Sequence, residues 1–243
     1  MEAMKKPMRT IGIETSGSVG SVALLEDGLA VDERFFEKGL RHGKELVPSL
    51  DAMLRARGLQ PAEIGLIAVS QGPGSYTGIR VGITVAKTLA YALGRPVVGV
   101  PSLDVLAQNA IGLDAPPAAK VHAALDAKRK RIYFASYRRE NGRLARESEC
   151  RALPLNEAVA AIQPGDLVIG DAIRLFAKEF AARGAILADD HLWRLRASAA
   201  AELGLLKFHA SGGDDPFSLV PIYLHRPEAE EVWERKHKDN RPA

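Results

Sequence analysis

Short apolar runs separated by turn residues occupy the start of the chain. Thr10–Thr15 and Val19–Glu26 flank a small polar turn, Ser16-Gly17-Ser18. Asp27-Gly28 then divides the second run from a third, Leu29–Phe36, and is a strong hairpin signal. Three antiparallel strands are predicted. The period changes at Lys44–Arg57, where Leu46, Val47, Leu50, Met53 and Leu54 fall on one stripe about 120° wide and predict a helix. Pro48 suits that helix only in its first turn. Ile64–Ser70 reads as a buried strand and Thr77–Leu93 as a helix stopped by Gly94-Arg95-Pro96. Val97–Val100 is a short strand, so the order is β-β-β-α-β-α-β.

The pattern then restarts. Val121–Asp126 and Ile132–Arg138 read as strands, Asn141-Gly142 as a second hairpin turn, and Arg143–Arg151 as the returning strand. Leu155–Ile162 is a helix, Leu167–Gly170 a strand, and Ile173–Arg183 and Ala197–His209 are helices. Glu14 and Asp126 each stand at the end of the first strand of their unit. This repetition predicts two structurally related lobes, 1–105 and 106–196, with the 197–209 helix packing back on the first. Ordinary α/β alternation with chance hairpins is the alternative. The tail, 227–243, is rich in Glu, Lys and Arg and reads as a mobile or solvated segment.

At 243 residues the chain allows one large domain or two lobes. Its 47% apolar and 26% charged residues exclude a wholly disordered protein. The single cysteine, Cys150, excludes an internal disulfide or a cysteine-based zinc site and suggests a reducing cytoplasm. No secretion signal or membrane-spanning run is visible. A formal charge of +3 says little by its size, so its placement matters.

Four segments could carry chemistry. Gly72-Pro73-Gly74-Ser75-Tyr76-Thr77-Gly78 joins a buried strand to a helix. Its glycines and hydroxyls suit an anion at a helix N-terminus, or equally a tight connection capped by Ser75 or Thr77. It is neither a P-loop nor a dinucleotide fingerprint. Glu14-Thr15-Ser16-Gly17 could hold a hydrated Mg²⁺ at a cleft, or be a polar turn with a solvated carboxylate. On the Thr77–Leu93 helix, Gly78, Gly82, Val85, Leu89 and Ala92 lie on one side and Ile79, Ile83, Ala86 and Ala90 on the next. That apolar arc spans about 200°, where docking on one core requires roughly 100°. Gly78, Gly82, Ala86 and Ala90 also repeat every fourth residue, a small-residue stripe that lets another backbone approach closely. One face would pack on the chain's own core and the other on a partner, or the whole helix would be covered by its own chain. Lys128-Arg129-Lys130-Arg131 is a candidate RNA-facing patch or a solvated basic loop. The six histidines show no His-x₃-His pair or HExxH, and there is no G-x-S-x-G elbow.

The run from Gly72 to Gly82, the following Ala86-Lys87-Thr88-Leu89-Ala90 and Val98-Gly99-Val100-Pro101-Ser102-Leu103 resemble the hallmark of the TsaB (YeaZ) family. Ile13-Glu14-Thr15-Ser16, Asp126-Ala127-Lys128 and Pro221-Ile222-Tyr223-Leu224 are similar as well, so the likeness covers about residues 9–225. It implies an α/β, actin-like ATPase (ASKHA, ribonuclease H-like) fold of two related lobes. It also implies a role in placing threonylcarbamoyl on N6 of adenosine 37 in ANN-decoding tRNAs, alongside a paralogous transferase, TsaD, and an ATPase, TsaE. TsaD-type chains carry His-x₃-His after the short strand; here Ser102 and Leu106 stand in its place. Glu14 departs from the aspartate usual in TsaB chains. The resemblance implies a non-catalytic partner subunit without a tightly bound metal or cofactor, with ATP or ADP and Mg²⁺ at most at the complex interface. Its contacts to nucleotide or phosphate would come from Glu14, Thr15, Ser16, Gly72, Gly74 and Asp126. Its partner interface would use Leu46, Leu50, Met53, Leu54, Gly78, Gly82, Val85 and Leu89, also serving a homodimer when the chain is alone. The basic run Lys128, Arg129, Lys130 and Arg131 exceeds what the family leads one to expect and leaves direct tRNA contact open. The rival is a stand-alone actin-fold ATPase or small-molecule kinase using Glu14 and the Gly72–Gly74 loop.

Overall fold

The Asp27-Gly28 turn adopts what its residues favour. Both sit at positive φ, 48° and 84°, and close β2 (Gly20–Glu26) onto β3 (Leu29–Phe36). Asn141-Gly142, at 50° and 75°, does the same for β7 (Arg131–Glu140) and β8 (Arg143–Arg146). The computed structural model describes residues 7–36, 42–114, 116 and 119–224; the 227–243 tail lies outside them.

The first sheet has the order β3-β2-β1-β4-β5, adding β1 (Arg9–Glu14), β4 (Leu66–Ser70) and β5 (Val97–Val100). β1 is antiparallel to β2 and parallel to β4. The second sheet, β11-β10-β6-β7-β8, repeats this plan with β6 (Val121–Asp126) in the role of β1, β10 (Leu167–Ile169) in that of β4 and β11 (Ile186–Leu187) in that of β5. β6 is antiparallel to β7 and parallel to β10. The fold is therefore α/β, with two related lobes of actin-like topology.

Helices α1 (His42–Ala56) and α2 (Tyr76–Leu93) cover one face of the first sheet. Their shared core takes in Ile11, Ile13, Leu46, Leu50, Met53, Leu54, Ile67, Ile79 and Ile83. Burying each such side chain contributes about 1.5–3 kcal/mol. Helix α6 (Ala197–Ser211) covers the opposite face, with Ala197 and Ala201 packed on Ala23 and Leu25. A further core runs from Leu66 and Val98 through α3 (Ser102–Gln108) and α6 to Val121 and Leu167, and joins the lobes. On the outer face of the second sheet, α4 (Leu155–Ala160) and α5 (Ile173–Ala181) bury Phe134, Val168, Phe176 and Phe180.

Four sequence expectations change. The predicted strand Arg143–Arg151 divides: β8 pairs with Tyr137–Glu140, whereas β9 (Arg151–Pro154) pairs with Arg131–Phe134. Helix α3 escapes the periodicity because it is only seven residues long and five of them, Ser102, Leu103, Val105, Leu106 and Ala107, are buried, so that Asp104 and Gln108 alone mark its polar side. Pro48 lies in the second turn of α1, on its exposed side, rather than in the first. The expected partner contacts also need correction. Leu46, Leu50, Met53 and Leu54 point into their own lobe, and Gly78, Gly82, Ala86 and Ala90 press α2 onto β1 and β4. A Cβ added at Gly82 would collide with Thr15 Oγ1, and one at Gly78 with the Thr15 carbonyl oxygen. The small-residue stripe serves the chain's own sheet, so Leu46, Leu50, Met53, Leu54, Gly78 and Gly82 are closed to a partner. Val85 and Leu89 are half-buried at the edge of the same core.

Candidate functional site

The turn after β1 folds around its own carboxylate. Glu14 is wholly buried. Its Oε1 accepts hydrogen bonds from Ser16 N (2.5 Å), Ser16 Oγ (2.6 Å) and Gly17 N (3.3 Å), and its Oε2 accepts one from Ser70 Oγ. Burial pushes the Glu14 carboxyl above its ordinary pKa, against the pull of these donors. The network continues: Ser102 Oγ donates to Ser16 Oγ at 2.8 Å and accepts from Gly72 N at 3.1 Å. It ties together the ends of β1 and β4, the Gly72 loop and the start of α3.

The Gly72–Gly78 loop lies directly on this turn. Ser75 N donates to Ser16 O (2.7 Å), Thr15 Oγ1 donates to Gly78 O (2.8 Å), and Gly78 N donates to the N-cap oxygen Ser75 Oγ (3.2 Å). Gly74, at φ 155°, has no room for a Cβ beside Ser16 O. The first turn of α2 is thus filled by the chain's own Thr15-Ser16 backbone. A hydrated Mg²⁺ does not fit at Glu14, whose oxygens are turned to Ser16, Gly17 and Ser70. The glycines answer to close backbone approach. The structure brings Glu14, Thr15, Ser16, Gly72 and Gly74 together; Asp126 ends the matching strand of the other lobe. There Asp126 N donates to Asp171 Oδ1 (2.9 Å), and Lys128 Nζ pairs with Asp126 Oδ2 (2.7 Å).

A second buried polar cluster braces the other sheet. His122 contacts Asp166 Oδ2 and Ser136 Oγ through its two ring nitrogens, each at 2.9 Å. Burial lowers the His122 pKa, outweighing the pull of Asp166; Lys120 lowers it further and Glu147 raises it. Asp166 falls below its usual range, because the bonds from His122, Gln163 N and Lys120 N together outweigh its burial. With its folded pKa below the unfolded value of about 6.5, His122 contributes stability that is present above that pH and lost as pH falls. Glu14 acts oppositely: its raised pKa favours the fold at low pH and that gain is lost as pH rises. Urea melts of wild type and His122→Gln at pH 7.5 and 5.5 isolate the histidine. The wild type is expected to lose more stability on acidification than the variant, by up to about 1.4 kcal/mol per pH unit.

The sequence reading missed Ser70 in the Glu14 network and the outward face of α1 and α2. That face presents Val47, Asp51 and Ala52 from α1 and Arg80, Thr84, Thr88, Tyr91 and Ala92 from α2. Tyr91 is 79% exposed and Val47 49%. At the start of α2, Tyr76 stacks on Tyr223 at 4.8 Å with Arg80 over its ring. The Tyr91 ring, on the side of α2 away from its glycines, was the available signal.

Residues 38–178 match a family model described as TsaD, tRNA N6-adenosine threonylcarbamoyltransferase. The chain is 30% identical to the tRNA threonylcarbamoyladenosine biosynthesis protein TsaB of Bacillus subtilis, over 95% of this chain and 100% of that one. The chain belongs to the TsaB (YeaZ) family. It is also 37% identical to the Escherichia coli TsaB protein over 56% of this chain and 58% of that one. The structure of YeaZ from Pseudomonas aeruginosa superposes with a TM-score of 0.77 at 27% identity, covering 89% of this chain and 100% of that one. After β5 this chain has Ser102, whose hydroxyl is spent in the Glu14 network, and Leu106, buried in the inter-lobe core; neither is placed to hold a metal.

Proposed function

We propose that this chain is a non-catalytic partner subunit that pairs with a TsaD-type paralogue for threonylcarbamoyl transfer to N6 of adenosine 37 in ANN-decoding tRNAs. A TsaE-type ATPase joins the pair. One observation carries the non-catalytic part: the Glu14 carboxylate is buried and bonded to Ser16, Gly17 and Ser70, so it presents no free oxygen to a metal or a reacting group. Family membership supports the tRNA pathway, and the exposed Tyr91 and Val47 support a protein contact through α1 and α2. The same face would pair two copies of the isolated chain. Any ATP or ADP with Mg²⁺ would sit where the complex assembles.

The rival reading, a stand-alone ATPase or kinase, requires Glu14 or Asp126 to do chemistry. A general base contributes roughly 10²–10⁴-fold. Glu14→Gln keeps an acceptor for Ser16 and a group able to pair with Ser70, while Asp126→Ala removes the other carboxylate. Each variant, in a reconstituted transfer assay with the paralogue, is expected to retain activity within about tenfold of wild type. A larger collapse with the complex still assembled, or steady ATP turnover by the pure chain that Glu14→Gln abolishes, would establish the rival instead.

A further inference from the structure

The turn between β6 and β7 is unusual in both backbone and charge. Lys128, Arg129 and Lys130 lie consecutively in the left-handed region, at φ 66°, 51° and 57°, which residues other than glycine resist. Arg131 N bonds to Lys128 O at 2.9 Å and Ala127 N to Arg131 O at 3.0 Å, closing the turn with all four basic side chains exposed. Residues 127–151 contain nine basic and three acidic residues, a net +6 in a chain whose total is +3.

Several of these cations have structural work. Lys128 pairs with Asp126, Arg131 donates to Ala152 O, Arg138 pairs with Glu140 and Glu147, Arg139 donates to Ala110 O, and Arg146 pairs with Asp104. The side chains of Lys130 and Arg151 are exposed and, among the described residues, make no hydrogen bond or ion pair. Arg151 lies opposite Phe134 on the neighbouring strand, three residues along β7 from Arg131, or about 10 Å.

The chemistry of this edge narrows its ligand. The aromatic residues of β7, Tyr133, Phe134 and Tyr137, are buried, so no ring is offered for stacking a base. Protein interfaces favour aromatic anchors and are poor in lysine. A single nucleotide needs a concave seat, which an open strand edge does not provide. Unpaired cations spread along such an edge fit a chain of phosphates. We propose that the Lys128–Arg131 turn and Arg151 hold the phosphate backbone of a folded RNA, and that this contact positions the RNA without reading its sequence. Taking that RNA to be the tRNA substrate rests on the function proposed above.

The test is binding of a tRNA transcript to the purified full chain at rising KCl, followed by fluorescence polarisation. Wild type is expected to bind with an affinity that falls steeply with salt. The double variant Lys130→Glu/Arg151→Glu should bind at least about tenfold more weakly at low salt, with a log–log slope shallower by about 1.5, as loss of two phosphate contacts requires. Lys130→Arg/Arg151→Lys should bind as wild type, and the melting temperature of each variant should be unchanged. The proposal is overturned if wild type shows no salt-dependent binding, if the reversed charges leave affinity and slope intact, or if millimolar ATP displaces the RNA completely. It is equally overturned if the reversed charges cost a protein partner but not RNA. These readouts stand apart from the transfer assay. Chain-dependent transfer with unaltered RNA binding by the double variant sinks only this contact. The expected RNA binding without chain-dependent transfer sinks only the function.

Discussion

Gly78→Ala is expected to destabilise the protein by about 2 kcal/mol or more, although alanine is the better helix former by up to about 1 kcal/mol. The new methyl would have to share space with the carbonyl oxygen of Thr15, whose own side chain is fixed by its bond to Gly78 O. Neither backbone can retreat easily: Thr15 follows β1 directly, and α2 is held at the same point by Ser75 N on Ser16 O. For a chain of this length the loss corresponds to a fall in melting temperature of roughly 5 °C or more. Circular dichroism melts of Gly78→Ala beside the exposed Thr84→Ala measure it. Stability equal to or above wild type would mean that α2 does not rest on the Glu14 turn. An arginine at Gly82 is expected to unfold the same lobe, because a Cβ there meets Thr15 Oγ1.

The stripe on α2 shows where sequence reading stops. Gly78, Gly82, Ala86 and Ala90 recur at every fourth residue of a helix, and the structure buries all four. Periodicity does not say whether a row of small residues admits a neighbouring subunit or the chain's own sheet, because both need the same close approach. The hairpins were legible, since Asp27-Gly28 and Asn141-Gly142 are local signals satisfied by local φ angles. So was the doubled topology, because the two units repeat their turns. The closure of Glu14 was not legible: Ser70 lies 56 residues away, and Ser102 stands 86 residues from the Ser16 hydroxyl it binds. A carboxylate after a strand looks the same in sequence whether it faces a metal or its own turn. Helix α3 was lost because seven residues, with only Asp104 and Gln108 partly exposed, give too short a pattern to mark a helix.

With the glycine stripe turned inward, the pairing surface proposed for α1 and α2 must use their outward residues. Thr84→Glu/Tyr91→Glu places two carboxylates there on positions exposed in the monomer. Both substitutions leave the core untouched, and glutamate suits a helix. Unpaired charges in a desolvated contact cost several kcal/mol, so affinity for the TsaD-type partner is expected to fall at least about 100-fold. Size-exclusion chromatography of the mixed subunits, with circular dichroism as the folding control, reads this out. A folded variant that still co-elutes at wild-type affinity would place the interface elsewhere on the molecule.

The central claim is that this chain enables another subunit's chemistry and performs none itself. Transfer of a labelled threonylcarbamoyl group to tRNA, with the paralogue held constant and this chain titrated in, tests that claim most directly. The account predicts a rate that rises with the chain until the pair is saturated, is kept by Glu14→Gln and is lost with Thr84→Glu/Tyr91→Glu. A paralogue that transfers at the full rate without the chain, or a chain that transfers without the paralogue, would contradict it.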